Sequence, residues 1–285
     1  MRRLALVLGA GGQLGDAMAT GLGRHYEVVA RTRNEVDVTV PDAMHAAVAS
    51  VLPDVLINCA AYTNVDGAEQ DPVTALAVNA SSVRTMARLA AEFDVTLVHY
   101  STDFVFDGVA TAPYRETDAP NPRGTYAVSK LLGEWLAADA PRHYVLRVES
   151  LFGGPRAKSS VDRILDGILA GSPVRAFADR TVSPSYVEDV VAATAALLAR
   201  RSPSGVYHCV NSGYTTWSGL AHEVARIAGR PDAPITDVSM DDAQLVAPRP
   251  KFAALANAKL AAEGVIMPTW QQAIERYVHA RAGHA

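Results

Sequence analysis

The sequence predicts an α/β fold, in which a doubly wound parallel sheet is followed by a smaller C-terminal α/β lobe. Short apolar runs alternate with longer segments of helical periodicity through the first half of the 285-residue chain. A cluster of glycines directly follows the first apolar run. Such repeated strand–helix alternation implies right-handed crossovers and a parallel sheet that helices cover on both faces.

Apolar runs in the first half predict strands that are buried on both faces of the sheet. Apolar residues at helical spacing predict helices between these strands. The predicted strands are residues 4–8, 26–30, 55–60, 95–100 and 144–148, and the predicted helices are residues 18–23, 41–52, 72–93 and 126–138.

The alternation becomes less regular after residue 148. The patterns there predict helices over residues 161–169, 187–200, 217–229 and 270–281, and one strand over residues 206–210. We therefore expect a first domain over residues 1–150 and a second lobe over residues 151–285, with some elements of the lobe returning to the sheet.

The composition argues against several classes of protein. The net charge of −4 lacks the basic excess of a nucleic-acid-binding surface. No apolar run approaches the ~18 residues that a membrane helix requires, and the N-terminal run is too short for a signal peptide. Two cysteines are too few for a disulfide framework, and the eight histidines show no metal-ligand spacing. We expect a cytoplasmic protein that binds neither nucleic acid nor membrane. The sequence identifies no metal-ligating residues, and the use of magnesium stays open.

Glycines recur at every third position between the first predicted strand and the first predicted helix, at Gly9, Gly12 and Gly15. Glycine tolerates positive φ and has no Cβ to obstruct a pyrophosphate, and the helix N-terminus offers free N–H groups to the phosphates. No Gly-Lys-Ser/Thr sequence follows, which argues against a P-loop. The context predicts a dinucleotide site of the Rossmann type over residues 1–150. The alternative is a glycine-rich turn without a ligand.

The end of the second predicted strand indicates which nicotinamide cofactor is bound. An NAD site usually has an acidic residue there, bonded to the ribose hydroxyls. This sequence has Arg31 and Arg33 instead, and an arginine can pair bidentately with the 2′-phosphate of NADPH. We therefore predict NADPH, with Arg31 as a cofactor-binding residue. Two alternatives stay open: the cofactor is NADH, or both arginines lie on the surface in contact with solvent.

Tyr126 and Lys130 form a Y-x-x-x-K motif on a predicted helix, where residues four apart share one face. A nearby ammonium lowers a tyrosine pKa, which suits Tyr126 to protonate a carbonyl oxygen while a hydride reaches the carbon. Ser101 and Thr102 follow the preceding predicted strand, and a hydroxyl there can polarise the carbonyl. These residues predict an NAD(P)-dependent oxidoreductase. The alternative is an ordinary amphipathic helix.

Several stretches, spread nearly from end to end of the chain, share motifs with one protein family. They are residues 9–15, 58–69 (N-C-A-A-Y-T-N-V-D-G-A-E), 101–108 (S-T-D-F-V-F-D-G), 126–130, 179–189, 215–217 and 249–250. Through them the chain resembles the extended short-chain dehydrogenase/reductases, and most closely the dTDP-4-dehydrorhamnose reductases. The resemblance implies reduction of a nucleotide-linked 4-keto-6-deoxyhexose to the 4-hydroxy sugar with NADPH or NADH, and residues 151–285 as the substrate-binding lobe.

The same resemblance implies roles for individual residues. Thr102 would orient the carbonyl, Tyr126 would donate the proton and Lys130 would activate Tyr126. The implied cofactor contacts come from Gly9, Gly12, Gln13, Leu14, Asp37, Val38, Ala61, Tyr62, Thr63, Tyr126 and Lys130. The implied sugar contacts come from Thr102, Asp103, Phe104, Tyr126 and Ser150.

Two positions depart from the family pattern. Phe104 stands where the family commonly has tyrosine, and Ser150 stands where it commonly has tryptophan. Both family residues lie near the sugar, so the loss of a hydrogen bond and an aromatic wall favours a different sugar. The identity of the sugar therefore stays open.

Two other functions stay open as well. A non-catalytic regulatory subunit, similar to the β subunit of methionine adenosyltransferase, would bind a nucleotide without turnover. A nucleotide-sugar epimerase or dehydratase would use the same fold, although a 4,6-dehydratase normally has an acidic pair where this chain has Asp103 and Phe104. Turnover with a keto sugar separates the catalytic from the regulatory function. The expected partner is a nucleotide sugar, and a homodimer is one candidate assembly.

Overall fold

The computed structural model describes residues 2–155 and 158–282, which form twelve strands and eleven α-helices. The strands are β1 (Leu4–Leu8), β2 (Glu27–Arg31), β3 (Val55–Asn58), β4 (Thr96–Thr102), β5 (His143–Val148), β6 (Leu151–Phe152), β7 (Val174–Phe177), β8 (Thr181–Val182), β9 (Ser185–Tyr186), β10 (Gly205–His208), β11 (Thr215–Thr216) and β12 (Ile235–Val238). The helices are α1 (Gln13–Gly21), α2 (Pro41–Val51), α3 (Val65–Gln70), α4 (Pro72–Leu76), α5 (Ser82–Glu92), α6 (Thr125–Ala137), α7 (Ser160–Leu169), α8 (Val187–Arg200), α9 (Trp217–Ile227), α10 (Ala258–Ala262) and α11 (Trp270–Ala282). None of these described helices is both long and apolar enough to cross a membrane.

Six strands form one parallel sheet in the order β10–β5–β4–β3–β1–β2. The chain passes from β1 to β2 on one side and then crosses to β3 on the other, so the direction of winding reverses between β1 and β3. Ligands of doubly wound sheets bind at such a reversal, outside the carboxyl ends of the strands. The predicted α/β fold with a doubly wound parallel sheet of the Rossmann type is confirmed.

Both faces of β1 are buried, as its apolar sequence predicts. Successive side chains of a strand point to opposite faces of the sheet. Ala5 and Val7 pack with α1 and α8, whereas Leu6 and Leu8 pack with α2 and α5. Helical layers therefore cover β1 on both faces of the sheet, so neither face of this strand favours polar side chains.

A separate core lies in the C-terminal part of the chain, where α7, α9 and α11 pack with β7 around the buried Trp217 and Trp270. In contrast, α8 and β10 join the six-stranded sheet and its covering layer, although both follow residue 150. The division into a domain over residues 1–150 and a lobe over 151–285 stays a prediction. Residues 156–157 and 283–285 of that lobe lie outside the described residues.

Helix α6 is joined to β5 by a buried ion pair. Arg147 Nε and Nη2 donate to Glu134 Oε1 and Oε2 at 2.9 and 2.7 Å, and both side chains are 3% exposed. The Phe106 ring lies 4.9 Å from the guanidinium carbon. Bidentate pairing leaves neither charge uncompensated inside the protein. Tyr126, Lys130 and Glu134 recur every four residues along α6, so the ion pair orients the face that carries the first two.

Glu134→Gln tests the contribution of this ion pair, because it leaves the Arg147 guanidinium buried without a counter-charge. We expect the free energy of unfolding to fall by about 3–5 kcal/mol, measured by urea denaturation followed by circular dichroism. Asp94→Asn is the control, since it breaks the exposed Asp94–Arg142 pair and should cost no more than about 1 kcal/mol. Equal effects of the two substitutions would contradict the assignment.

Candidate active site

Segments at the ends of β1, β3 and β4 meet at the carboxyl edge of the sheet and line two adjoining cavities. The glycine cavity, of about 500 Å³, is lined by residues that include Gly9, Gly12, Asp37, Val38, Ala61 and Tyr62. The tyrosine cavity, of about 550 Å³, is lined by residues that include Gln13, Leu14, Thr63, Thr102, Asp103, Phe104, Tyr126, Lys130 and Ser150. Both cavities share Gly12, Cys59 and Ala61 as lining residues. The fold therefore brings together every site residue predicted from the sequence except Arg31.

The loop from Gly9 to Gly15 packs so closely against the neighbouring backbone that two of its positions require glycine. Gly9 has φ +76°, and a Cβ there would lie 2.5 Å from the Ala60 amide nitrogen. A Cβ at Gly15 would lie 2.2 Å from the Gly9 carbonyl oxygen. Helix α1 begins at Gln13 directly after Gly12, and no side chain caps its first N–H groups. These donors, together with the partial positive charge of the helix N-terminus, suit a pyrophosphate.

The arginine that faces the glycine cavity is Arg33, not Arg31. Arg31 is not among the lining residues of this cavity. Its Nη1 donates to the Ala30 carbonyl at 3.2 Å and lies 3.8 Å from Glu35 Oε1. Arg33 does line the cavity, 3.7 Å from Asp37 Oδ2. Arg31 as a cofactor-binding residue therefore stays a prediction, and Arg33 is the arginine that the structure places at the cavity.

Asn79 fixes the segment that follows β3, and the sequence analysis missed it. Its Oδ1 accepts from Tyr62 N at 2.9 Å, while its Nδ2 donates to Tyr62 O at 3.1 Å and to Ser129 Oγ at 3.0 Å. Asn79 is buried in a π turn, Ala77–Ser81, which interrupts the single helix predicted over residues 72–93. The available signal was a single polar residue within the short apolar run of residues 75–80, since buried polar groups require partners.

Tyr126 and Lys130 reach the tyrosine cavity from α6. Lys130 Nζ donates to the Tyr100 carbonyl at 2.5 Å, and burial lowers the pKa of Lys130 to about 8. Loss of solvation, and then the negative charge of Asp103, raise the pKa of Tyr126. The net shift is therefore upward and not downward as expected, because burial and Asp103 outweigh the nearby ammonium. Tyr126 therefore stays protonated near neutral pH, which equips it to donate a proton.

Thr102 is oriented by hydrogen bonds at the end of β4. Its Oγ1 donates to Asp103 Oδ1 at 2.9 Å and accepts from Phe104 N at 3.3 Å. Burial raises the pKa of Asp103 to about 6, while the charge of Arg180 opposes this shift. The neighbouring Ser101 hydroxyl has no hydrogen-bond partner in the described part of the chain. Of the two candidate hydroxyls, Thr102 is the one held in a fixed orientation.

The two positions that depart from the family pattern both line the tyrosine cavity. The Phe104 ring meets the Tyr126 ring edge to face, with centroids 5.5 Å apart. Ser150 has φ +46° in the turn after β5, and its carbonyl accepts from Ser185 N at 3.4 Å. Position 104 therefore presents an apolar ring to the cavity, and position 150 presents a short polar side chain.

Two ionisable residues near this cavity were not predicted as site residues, although one of them, Arg180, lies in the shared stretch 179–189. Glu149 is 2% exposed and accepts from Ser183 N at 2.7 Å. Burial, and then the charge of Asp103, raise the pKa of Glu149 well above its usual value. Arg180, between β7 and β8, lines the tyrosine cavity. Long-range folding alone brings both of them to the site.

Comparison with known proteins assigns the chain to a family. The model of the RmlD substrate-binding domain family matches residues 2–282. The chain belongs to this family, which confirms the resemblance seen in the sequence.

Individual relatives are similar over nearly the whole chain. The dTDP-4-dehydrorhamnose reductase of Mycobacterium tuberculosis is 35% identical over 277 residues, covering 94% of this chain and 90% of the relative. A probable dTDP-4,6-dihydroxy-2-methyloxan-3-one 4-ketoreductase of Streptomyces antibioticus is 33% identical, covering 94% and 92%. The structure of dTDP-4-dehydrorhamnose reductase from Bacillus anthracis in complex with NADP has a TM-score of 0.93 at 28% identity, covering 98% of this chain and 100% of that chain.

Proposed function

We propose that this protein is an NADPH-dependent reductase that converts the 4-keto group of a dTDP-linked 6-deoxyhexose to a hydroxyl, with dTDP-4-dehydrorhamnose as the first candidate substrate. One observation carries the proposal: Thr102, Tyr126 and Lys130 line a cavity continuous with the glycine loop. The names of the similar proteins supply the substrate class, and the nucleotide in the similar B. anthracis structure is NADP.

The residues that line the two cavities have different roles in the proposed reduction. NADPH, when bound, supplies a hydride to the carbonyl carbon. Tyr126 Oη donates its proton to the carbonyl oxygen, so that C=O becomes CH–OH. Thr102 orients the same oxygen by a hydrogen bond. The positive charge of Lys130 offsets the charge that remains on Tyr126 after the proton has left. Gly9, Gly12 and the N-terminus of α1 hold the pyrophosphate.

A different dTDP-linked deoxysugar is the second candidate substrate, and Phe104 and Ser150 favour it. Without a phenolic hydroxyl at 104 and an aromatic ring at 150, the cavity makes fewer polar and aromatic contacts than the family pattern provides.

A non-catalytic regulatory subunit would need no catalytic groups, so the convergence of Thr102, Tyr126 and Lys130 on one cavity favours catalysis. The division at residue 150, a cytoplasmic location and a homodimer stay predictions from the sequence.

NADPH oxidation, followed by the absorbance of the reduced nicotinamide, tests the proposed substrate. We expect no turnover with dTDP-4-keto-6-deoxyglucose alone, and turnover once the 3,5-epimerase that forms the rhamnose precursor is added. Turnover without the epimerase would assign a different deoxysugar. NADPH binding without turnover in either condition would leave another keto sugar or the regulatory function.

Tyr126→Phe removes the proton donor and keeps the ring. We expect kcat to fall by about 10²–10⁴-fold, which is the usual contribution of general acid catalysis, while the Kd for NADPH stays nearly unchanged. Tyr214→Phe alters a half-exposed tyrosine outside both cavities and should leave kcat unchanged. If Tyr126→Phe kept most of the activity, Tyr126 would not be the proton donor.

Arg33→Ala tests which arginine contacts the 2′-phosphate of the cofactor. We expect the KM for NADPH to rise about tenfold, as for the loss of a charged hydrogen bond, and the KM for NADH to stay unchanged. Arg31→Ala removes the same charge two residues away and is the matched control. A larger effect of Arg31→Ala on the KM for NADPH would favour Arg31, as the sequence predicts.

A further inference from the structure

A further cavity, of about 560 Å³, lies at the opposite edge of the sheet from the glycine and tyrosine cavities. Each of the six strands of the sheet contributes a residue at its first position or directly before it, so we call this the amino-edge cavity. None of the described residues in its wall also lines either of the other two cavities. Its volume lies within the range of roughly 300–1,000 Å³ that is usual for small-molecule sites. The cavity is therefore large enough for a ligand of its own.

Two buried residues in the wall of this cavity, Tyr26 and Ser202, carry hydroxyl groups without partners. Tyr26 is 2% exposed and Ser202 is 7% exposed, and neither hydroxyl has a hydrogen-bond partner in the described part of the chain. Burial raises the pKa of Tyr26, the charge of Arg3 lowers it and the charge of Asp54 raises it. Both charged residues also line the cavity, so the Tyr26 hydroxyl lies among its lining groups. A buried hydroxyl without a partner is unfavourable, and a ligand that supplies acceptor atoms would satisfy both groups.

The amino-edge cavity has an excess of positive charge. Its wall carries three arginines and two acids, namely Arg3, Arg142, Arg201, Asp54 and Asp94. Both acids already accept hydrogen bonds, because Asp94 Oδ1 accepts from Arg142 Nη1 at 2.8 Å and Asp54 Oδ2 accepts from Leu4 N at 2.7 Å. Arg3 and Arg201 form no ion pair with any residue in 2–155 or 158–282. The charges at this edge of the sheet therefore favour an anion.

We propose that the amino-edge cavity binds a phosphate group, either free or carried by a small organic molecule. A phosphate group has at least three acceptor oxygens and a charge of about −2, which matches two hydroxyl donors and two arginines without acid partners. A carboxylate has two oxygens and a single charge, so it would satisfy fewer of these groups. Guanidinium groups donate parallel hydrogen bonds to phosphate oxygens. The cavity lies apart from Tyr126, and the inference therefore does not depend on the proposed reduction.

Glycerol 3-phosphate and inorganic phosphate are the probes, and isothermal titration calorimetry measures the Kd of each with and without NADPH. We expect Tyr26→Phe and Arg201→Asn each to weaken the binding of glycerol 3-phosphate about tenfold, as for the loss of a hydrogen bond to a charged group. Asparagine suits position 201, because Arg201 has φ +53°, in the left-handed region that asparagine tolerates. NADPH should leave both Kd values unchanged, since the glycine loop lies at the other edge of the sheet.

The relative affinities of the two probes identify the source of the phosphate. Tighter binding of glycerol 3-phosphate assigns the cavity to an organic phosphate, and equal or tighter binding of inorganic phosphate assigns it to the free ion. Succinate, which carries carboxylates only, should bind more weakly than either. Tyr214→Phe and Arg88→Asn make the same substitutions at exposed residues outside the cavity and should change none of these Kd values.

The melting temperature separates a ligand-binding hydroxyl from a structural one. Removal of a buried hydroxyl without a partner breaks no stabilising hydrogen bond, so the Tm of Tyr26→Phe without phosphate should be no lower than that of the wild type. A lower Tm would show that the hydroxyl stabilises the protein itself and would overturn the inference. Undiminished phosphate affinity in both variants, tighter binding of succinate, or no phosphate binding to the wild type at millimolar concentration would overturn it as well.

Discussion

The buried ion pair between Arg147 and Glu134 sets the position of α6 on the sheet, and the reactive groups depend on that position. A bidentate contact fixes the rotation of a helix as well as its distance, because both hydrogen bonds lose their geometry when the helix turns. Gly133 permits the close approach, since a Cβ there would lie 2.2 Å from a carbonyl oxygen of the neighbouring π turn. The directions of Tyr126 and Lys130 therefore follow from contacts made one and two turns further along the same helix.

Features that depend on local order were predictable from the sequence, and those that depend on distant contacts were not. The strand β1, the glycine loop and the spacing of Tyr126 and Lys130 each occupy a few consecutive residues, so periodicity and glycine chemistry suffice. The break in the predicted helix 72–93 arises because Asn79 bonds a segment elsewhere in the chain. The direction of the Tyr126 pKa shift likewise depends on burial and on the charge of Asp103, and both follow from the folded structure. Arg180 reaches the site solely through the arrangement of the C-terminal elements.

The residues that line the tyrosine cavity come from different parts of the fold. Thr102 and Tyr126 belong to the end of β4 and to α6, which the central sheet holds. Ser150 and Arg180 lie in turns after β5 and before β8, where the second core begins. Substitutions in these turns can therefore alter the wall of the tyrosine cavity without moving Tyr126.

The return of α8 and β10 to the sheet joins the two halves of the chain through a shared core and a shared sheet. Helix α8 covers the face of β1 that carries Ala5 and Val7, and β10 pairs with β5 along its whole length. A chain cut after residue 150 would therefore expose that apolar face and leave β5 as an unprotected edge strand, a template for aggregation. The nucleotide-binding half is not a detachable module. An exchange of substrate lobes between relatives should therefore leave α8 and β10 with the sheet that they pack against. The exchanged segments would have to be joined to the recipient chain before and after each of these two elements.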